Sequence, residues 1–347
     1  MRDLRSWTRS TTLVIAFLLC DAGLHPARAD VVLVANGDRL SGDVVRQEKA
    51  QLQLETTYAG TVEIAWKDVR EVRFEQPNQV LLDDDTVLTV EAVSREGDQL
   101  TLRAEDPAAS VTVDASRVKV IEPEAWELGQ GRKLTGRVNV ALENEKGNSE
   151  KSEFDLDFTV NRRWRWHRIR SRGEIEYDTT RGFDSTDKWT WMSNYERLFR
   201  SHWYGTALVV LNHDRFADLR LRFLVGPAAG YRFFESEPLN LSVEAAVGYL
   251  NDDFINLPDR EFWGPAWYVS YDQKVWKERL QLYHRQLGFA ATNDSNKQLW
   301  RSWTGVRVPL VAGFVGTVEY EFDYDSQPAV EALTTDKTLN LKLGYKW

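Results

Sequence analysis

The last residues of the chain alternate strictly between apolar and polar side chains. From Leu339 to Trp347 every odd position is apolar, every even position is polar or glycine, and the segment ends on aromatic residues. Successive side chains of a β-strand point to opposite faces, so the pattern predicts a strand with one apolar and one wet face. An apolar outer face, a polar inner face and terminal aromatic residues are typical of a transmembrane β-barrel strand.

The same alternation recurs through the second part of the chain and predicts twelve strands. The most regular segments are 134–142, 154–160, 169–177, 239–249 and 314–324. Less regular segments are 187–200, 201–213, 217–234, 261–276, 279–290 and 298–311, and the last strand, 335–347, completes the set.

The connections between these segments alternate between long polar stretches and tight turns. The long ones are 143–151, 179–187, 212–218, 251–261, 292–298 and 325–335. Outer-membrane barrels have an even strand number, long outer loops and short periplasmic turns, and this pattern predicts the same arrangement.

Tryptophans cluster near the ends of the predicted strands, as in the aromatic belts of membrane proteins. Those near short turns are Trp164, Trp166, Trp203 and Trp276, and those near long connections are Trp189, Trp191, Trp263, Trp267 and Trp300. A soluble β-sandwich with a tryptophan-rich core is the alternative. It is disfavoured because strands of about ten residues exceed the usual five or six.

Composition and charge divide the chain before this region. Residues 30–125 carry 10 Lys/Arg and 20 Asp/Glu, whereas residues 126–347 carry 30 and 31. We therefore predict a separate periplasmic domain over 30–125 and an outer-membrane β-barrel over 126–347. The excess negative charge of the first domain argues against a nucleic-acid partner.

The first domain contains a repeat of about 48 residues, which predicts a tandem pair of small SH3-like or Sm-like barrels. Its matched segments are Gln51–Glu55 with Gln99–Arg103, Val62–Ile64 with Val111–Val113, and Asp68–Val72 with Arg117–Ile121. Small barrels bind many ligands, so two interpretations stay open. The domain is either a spacer or docking module for a periplasmic protein, or a module that contacts peptide or peptidoglycan.

Residues 1–29 have the features of a secretory signal peptide. Basic residues precede a short apolar run from Leu13 to Cys20, and Ala27-Arg28-Ala29 provides small residues at a cleavage spacing. A retained membrane anchor is the alternative, but the run is shorter than the ~20 residues that a spanning helix needs. A lipoprotein at Cys20 is disfavoured by Leu19 before it. Cleavage after Ala29 would leave a chain without cysteine.

The polar face of the predicted barrel carries charges with a direction. Acidic residues lie toward the long connections and basic residues toward the short turns. The lumen-facing candidates are Asp155, Asp157, Arg168, Arg170, Arg172, Glu174, Glu244, Glu319, Glu321 and Lys342. Ion pairs across the lumen would close it, whereas unpaired acids at the mouth would leave a narrow path that concentrates cations. We favour a narrow or occluded lumen.

Candidate catalytic groups are few. His213-Asp214 and Asp252-Asp253 fall on two predicted outer loops, where a barrel protease would polarise a water molecule. His284 lies in a predicted strand, but no serine is evidently paired with it for a lipase. No zinc spacing, phosphate-binding loop or nucleophile elbow is present in the sequence. We expect neither enzyme activity nor a metal or cofactor.

The second region resembles the YdiY-like family of bacterial outer-membrane proteins of unknown function, often labelled salt-induced outer-membrane proteins. The resemblance rests on the opening Leu134–Val140, the loop Glu145–Glu150 with Gly147-Asn148, and the closing Leu343–Trp347. It implies a porin-like barrel in the Gram-negative outer membrane, in contact with its lipid. It also implies recognition of residues 339–347 by the barrel-insertion machinery. It brings no catalytic residues, and the stress-related role rests on the family label.

Overall fold

The computed structural model describes residues 29–48, 50–145, 151–199, 202–236, 238–276, 279–329 and 332–347. The predicted signal peptide lies outside this part of the chain except for Ala29. The chain divides into two compact units, Met1–Pro123 and Glu124–Trp347. Among the described residues, no helix has the length and apolar character required to cross a membrane.

The first unit is a single antiparallel sheet of nine strands. They are β1 (Asp30–Val34), β2 (Arg39–Glu48), β3 (Gln51–Thr56), β4 (Gly60–Ala65), β5 (Val69–Leu82), β6 (Val87–Glu96), β7 (Gln99–Arg103), β8 (Val111–Asp114) and β9 (Val118–Ile121). Short 3-10 helices span Trp66–Asp68, Pro107–Ala109 and Ala115–Arg117.

Strand β5 joins the two repeated copies. Its first part pairs with β1, where Val72 faces Val32, and its last part pairs with β9, where Val80 faces Ile121. The first part of β5, which ends the first copy, also pairs with β6 of the second copy. Strand β9, which ends the second copy, also pairs with β2 of the first copy. The predicted tandem is therefore present as two interlocked copies in one sheet, because residues 69–82 pass through Pro77 without a turn.

The core of this unit repeats with the strands. Leu52 and Leu54 on β3 are fully buried, as are Leu100 and Leu102 at the equivalent positions on β7. All four belong to one hydrophobic cluster. The two copies consequently share a core as well as a sheet.

The second unit is a closed antiparallel barrel of twelve strands, as the sequence predicts. They are β10 (Lys133–Glu145), β11 (Lys151–Arg163), β12 (His167–Thr180), β13 (Phe183–Leu198), β14 (Trp203–Asp214), β15 (Leu219–Glu235), β16 (Leu239–Phe254), β17 (Arg260–Val275), β18 (Leu280–Ala290), β19 (Gln298–Pro309), β20 (Phe314–Asp325) and β21 (Thr335–Lys346). The connections that follow β11, β13, β15, β17 and β19 lie at one end of the barrel, which we call the turn end. The opposite end is the loop end.

The outward positions of the barrel carry large exposed apolar side chains. Aliphatic examples are Leu134, Leu142, Val247, Leu339, Leu341 and Leu343. Exposed tryptophans occur at both ends of the strands, with Trp203 and Trp276 at the turn end and Trp263 and Trp300 toward the loop end. An apolar band between aromatic belts is the surface that a lipid bilayer covers.

The barrel closes through a short seam between β10 and β21. The pairing runs from Arg137 beside Lys346 to Val140 beside Leu343. Gly136 and Trp347 add two backbone hydrogen bonds, each 3.1 Å long. The Trp347 indole lies against Gly136, where a Cβ atom would come within 2.3 Å of the ring. Glycine at this position therefore makes room for the terminal tryptophan.

One predicted connection is wrong. The sequence predicted a long loop over 179–187, but β12 continues to Thr180 and β13 begins at Phe183, so only Arg181 and Gly182 form the turn. Their φ angles are 53° and 78°, as a two-residue type I′ hairpin turn requires. The polar residues of this segment belong to paired strands rather than to a loop.

Candidate functional site in the barrel interior

Two kinds of side chain fill the barrel interior. An apolar cluster extends over the strands from β13 to β19 and contains Met192, Leu208, Val210, Leu224, Ala246, Leu250, Phe262, Ala266, Tyr268, Phe289 and Trp303. An ionic sector involves mainly β10, β11, β12, β20 and β21. The interior is thus packed like a protein core in which charged groups are retained and paired.

The residues that the sequence predicts to face the lumen lie in this ionic sector and beside it. They are Asp155 and Asp157 on β11, Arg168, Arg170, Arg172 and Glu174 on β12, Glu244 on β16, Glu319 and Glu321 on β20, and Lys342 on β21. All but Asp155 take part in one of two groups of ion pairs. Within the described residues, Asp155 forms no ion pair.

The first group centres on Arg170 and crosses the lumen. Arg170 on β12 contacts Glu244 on β16, four strands away. Its Nε atom also lies 2.5 Å from Oε1 of Glu196, a neighbour that Arg168 contacts at 2.6 Å. Tyr204 donates its hydroxyl proton to Glu244 at 2.9 Å. The contact therefore links two strands that are not neighbours in the barrel.

The second group, which we call the central cluster, consists of Asp157, Arg172, Glu174, Arg301, Glu319, Glu321 and Lys342. The ammonium Nζ of Lys342 lies 2.9 Å from Glu319, 3.1 Å from Asp157 and 3.4 Å from Glu321. Arg172 contacts Glu174 and reaches Glu319 on β20 at 3.4 Å. Arg301 lies 3.3 Å from Glu174. Opposite charges are interleaved throughout, so the cluster is close to neutral.

Three carboxylates of the central cluster are close enough to raise the question of a metal ion. Oxygen atoms of Glu174, Glu319 and Glu321 lie within 4.8 Å of one another. Carboxylate oxygens are the ligands of hard cations. Arg172 and Lys342 already lie among these oxygens. The protein's own cations therefore balance this charge.

Aromatic rings pack against the ion pairs. The Trp303 ring is 1% exposed and has the guanidinium carbons of Arg172 and Arg301 at 4.5 and 4.9 Å from its centroid. Tyr283 donates a hydrogen bond to Glu319 at 2.8 Å. Gly305 on β19 leaves space for this tyrosine, since a Cβ there would meet the Tyr283 hydroxyl at 2.5 Å. These rings occupy volume that a pore would leave to water.

A buried charge network, which we call the cap, lies at the loop end. Lys297 is 0% exposed and lies 3.0 Å from Asp252 and 2.8 Å from Asp325. Arg222 joins the same two carboxylates at 2.5 and 2.6 Å. Burial and then the nearby Arg222 charge lower the pKa of Lys297 below its ordinary value.

The connection between β20 and β21 contributes to the cap. Ala329 packs with Leu219 and Phe254 in a small hydrophobic cluster, to which Leu257 and Ala332 add partly buried contacts. The backbone carbonyl of Gln327 accepts a hydrogen bond from Lys297 at 3.4 Å. The described part of this loop is therefore folded onto the rim and covers apolar surface there.

At the turn end the interior widens into a cavity of about 380 Å³. Its lining includes seven cationic side chains, Arg137, Arg170, Arg172, Lys274, Arg285, Arg307 and Lys346, and one carboxylate, Asp272. Amide and hydroxyl groups complete it, among them Asn161, Asn194, Asn240, Ser270 and Gln281. The interior is thus asymmetric, with a buried ion-pair network at the loop end and a basic cavity at the turn end.

The candidate catalytic groups have structural partners. The ring of His213 makes a hydrogen bond of 2.8 Å with the carbonyl oxygen of Arg220, and Asp214 accepts from the backbone N–H groups of Phe216 and Ala217. Asp252 belongs to the cap, and Asp253 lies 3.0 Å from Arg220. Among the described residues, no hydrogen bond or ion pair joins His213 to a carboxylate.

His284 has a hydroxyl partner that the sequence did not indicate. Its Nδ1 lies 2.8 Å from Oγ1 of Thr304, on the neighbouring strand β19. Tyr283 and Arg285 on either side contact interior groups, so His284 lies at an outward position. The hydrogen bond satisfies two polar side chains on the outer face.

Several interior residues were missed by sequence reasoning. The most important are Lys188, Arg222, Lys297 and Arg301, which pair with acids at the loop end. Their pairs neutralise Glu176, Asp323 and Asp325 at the loop end. Arg222 and Arg301 lie in segments with weak alternation, and counting positions by two from buried neighbours would have placed both inside.

These features define the class of the protein: a transmembrane β-barrel of the outer-membrane type, with a core-like lumen. The chain belongs to the family described as "Protein of unknown function, DUF481", whose model matches residues 138–347. The resemblance to YdiY-like proteins drawn from the sequence is thereby confirmed.

Several solved structures are similar to this chain. They include the translocator domain of autotransporter NalP from Neisseria meningitidis, with 12% identity and a TM-score of 0.36 over 63% of this chain and 89% of that one. The NanC porin has 8% identity and a TM-score of 0.37 over 62% and 97%. The outer membrane channel DcaP of Acinetobacter baumannii has 10% identity and a TM-score of 0.30 over 92% and 94%. No curated protein matches the chain.

Proposed function

We propose that this protein is an integral outer-membrane barrel with a closed lumen and an envelope-structural role. The observation that carries the proposal is the set of ion pairs that cross the interior. Arg170 contacts Glu244, and Arg172 reaches Glu319, so β12 is linked to strands on two other sides of the barrel. A barrel of twelve strands is intermediate between small filled barrels and the open porins of sixteen to eighteen strands.

The cap adds a second closure at the loop end. Lys297 and Arg222 share Asp252 and Asp325, and all four groups are held close to the barrel rim. A solute would have to break both this network and the central cluster to pass. Breaking a buried ion pair costs about 3–5 kcal/mol for each uncompensated partner, which opposes a passive pore.

The orientation follows from the connections. Outer-membrane barrels place short turns in the periplasm, so the turn end faces the periplasm in this proposal. The chain enters β10 at that end. Residues 30–123 would then lie in the periplasm and act as a spacer or docking module. Strand β21 would provide the segment that barrel-insertion machinery recognises.

Planar-bilayer recording on the purified full chain tests the closed lumen. We expect no steady conductance for the native protein. A variant that combines Trp303→Ala and Arg172→Ala with Lys297→Ala should show conductance, because it removes a ring and a crossing charge from the central cluster and the shared cation from the cap. Steady current through the native protein would contradict the closed lumen and support a narrow passive pore instead.

Cell fractionation tests the location. The full chain should remain with the outer membrane and require detergent for extraction. Recovery of the folded chain in a detergent-free soluble fraction would overturn the membrane assignment.

A further inference from the structure

Some of the arginines that line the basic cavity at the turn end have fewer carboxylate contacts than positive charges. Two of its cations, Arg170 and Arg172, contact the carboxylates of the ion-pair groups described above. Arg285 and Arg307 share Asp272, with Arg307 Nη1 at 3.5 Å from the carboxylate. Asp272 is the only carboxylate among the described lining residues. Two guanidinium groups on one carboxylate leave net positive charge in an enclosed space.

Arg307 is a buried arginine of the cavity lining whose guanidinium group is only partly used by the protein. It is 5% exposed, it lines the cavity, and its Nε atom has no hydrogen-bond partner among the described residues. Its guanidinium carbon lies 3.5 Å from the centroid of the Tyr283 ring, which fixes its plane. A buried cation with an unused N–H group is costly unless a partner completes it.

Arg137 is a second arginine of the cavity lining with an incompletely paired guanidinium group. Its Nε atom is also buried without a hydrogen-bond partner in the described part of the chain. No carboxylate among the described residues lies within ion-pair distance of it. Arg137 and Arg307 line the same cavity. Like charges in one space of low dielectric repel, and a negatively charged group between them would relieve that repulsion.

The geometry points to a binding site for a small oxyanion in this cavity. We propose that it takes a soluble molecule with phosphate or carboxylate groups, held by Arg137 and Arg307. Guanidinium groups suit these groups because their planar N–H forks match two oxygens at once. A volume of about 380 Å³ lies within the usual size of ligand sites. Asn240 and Gln281 could hydrogen-bond hydroxyl groups of the same molecule.

The site would face the periplasm if the proposed orientation is correct, but the binding itself does not depend on whether the barrel conducts. Titration calorimetry on the full chain in a zwitterionic detergent at low ionic strength tests it. The probes are citrate and pyrophosphate, with glucose as the neutral control and sodium chloride matched for ionic strength. We expect saturable binding of at least one oxyanion and none of glucose.

Two cavity variants and one matched control make the test specific. Arg137→Ala and Arg307→Gln should each weaken oxyanion binding by at least about tenfold, because each removes one side of a buried charge pair. Arg220→Ala, at an exposed arginine of the loop end, should bind as the native protein does. Arg137→Lys keeps the charge, and partial binding would support recognition by the planar fork. Retained far-UV circular dichroism shows which variants are folded.

Three results would overturn the proposal. One is absence of oxyanion binding by the native protein. Another is equal affinity of the native protein, Arg137→Ala and Arg307→Gln. The third is loss of citrate or pyrophosphate binding when the anionic lipid phosphatidylglycerol is added to the micelles instead of the matched sodium chloride. The site would then hold a lipid headgroup rather than a soluble anion. A conducting native barrel with intact binding would contradict only the closed lumen.

Discussion

Replacing Lys342 by methionine should destabilise the barrel strongly. Methionine has a similar length and no charge, so the change removes the ammonium group and little volume. Glu319 would keep Arg172 and Tyr283 as partners. Asp157 would keep only the Asn139 amide at 2.7 Å, and Glu321 only the Asn340 amide at 3.0 Å. Two buried carboxylates would then lack a direct cationic partner on this side of the cluster.

The magnitude follows from the burial of the group. Lys342 is 8% exposed and has carboxylate oxygens at 2.9, 3.1 and 3.4 Å. Removal of one partner from a buried pair costs about 3–5 kcal/mol, against about 0–1 kcal/mol for a solvated pair. In a domain of this size each kcal/mol corresponds to about 2–4 °C, so Tm should fall by about 6–20 °C. The loss is concentrated beside the seam, because Lys342 lies on β21.

Thermal unfolding in detergent micelles, followed by circular dichroism, measures this shift. Lys337→Met is the control, since Lys337 lies on the same strand and is exposed; we expect its effect to be within about 0.5 kcal/mol. Adding Glu321→Gln to Lys342→Met should recover part of the loss, because one stranded charge is removed. A loss below about 1 kcal/mol for Lys342→Met would refute the reasoning. Water would then reach the central cluster.

Three further changes test the seam, the cap and the first unit. Gly136→Ala should slow or weaken barrel closure, since its Cβ would lie 2.3 Å from the Trp347 ring. Gly316→Ala is the control, because its Cβ would meet only one atom, at 4.0 Å. Heat-modifiable gel mobility compares the two variants, and equal behaviour would contradict the role of the indole. Because the pKa of Lys297 is lowered, the unfolded chain holds this proton more tightly. Its contribution to stability should therefore rise as pH increases from the folded pKa toward 10.5, and Lys297→Met should remove that pH dependence in unfolding measurements. Leu52→Ala and Leu100→Ala should each lower the free energy of unfolding by about 2–5 kcal/mol. Trp66 fluorescence should show one unfolding transition for each variant. Independent unfolding of the two copies would argue against a shared core.

Much of the barrel was predictable because a strand in a membrane has two different solvents. Lipid requires apolar residues on one face and the lumen accepts polar residues on the other, so the period of two is strong in segments such as 314–324. The pattern weakens where the interior is itself apolar. On β15, Leu224 faces inward and Val225 outward, and the two sides of the strand no longer differ. Residues such as Arg222 were overlooked for this reason.

Loop and partner assignments were less predictable. The segment 179–187 is polar, which the sequence cannot distinguish from a loop, yet two residues with positive φ allow a tight hairpin there. The partners of Arg170 and Arg172 lie on strands far along the chain. Their pairing depends on barrel diameter and stagger, which emerge only when all twelve strands have closed.

The sequence by itself determined the number of strands, their faces and the two regions of the chain, since these depend on local alternation, composition and repeats. Only the tertiary structure decided that the lumen is crossed by ion pairs, that the loop end is capped around Lys297, and that β5 interlocks the repeated copies. The physical reason is that contacts between distant residues depend on strand register. A shift of one residue would turn each of these charges from the interior to the lipid.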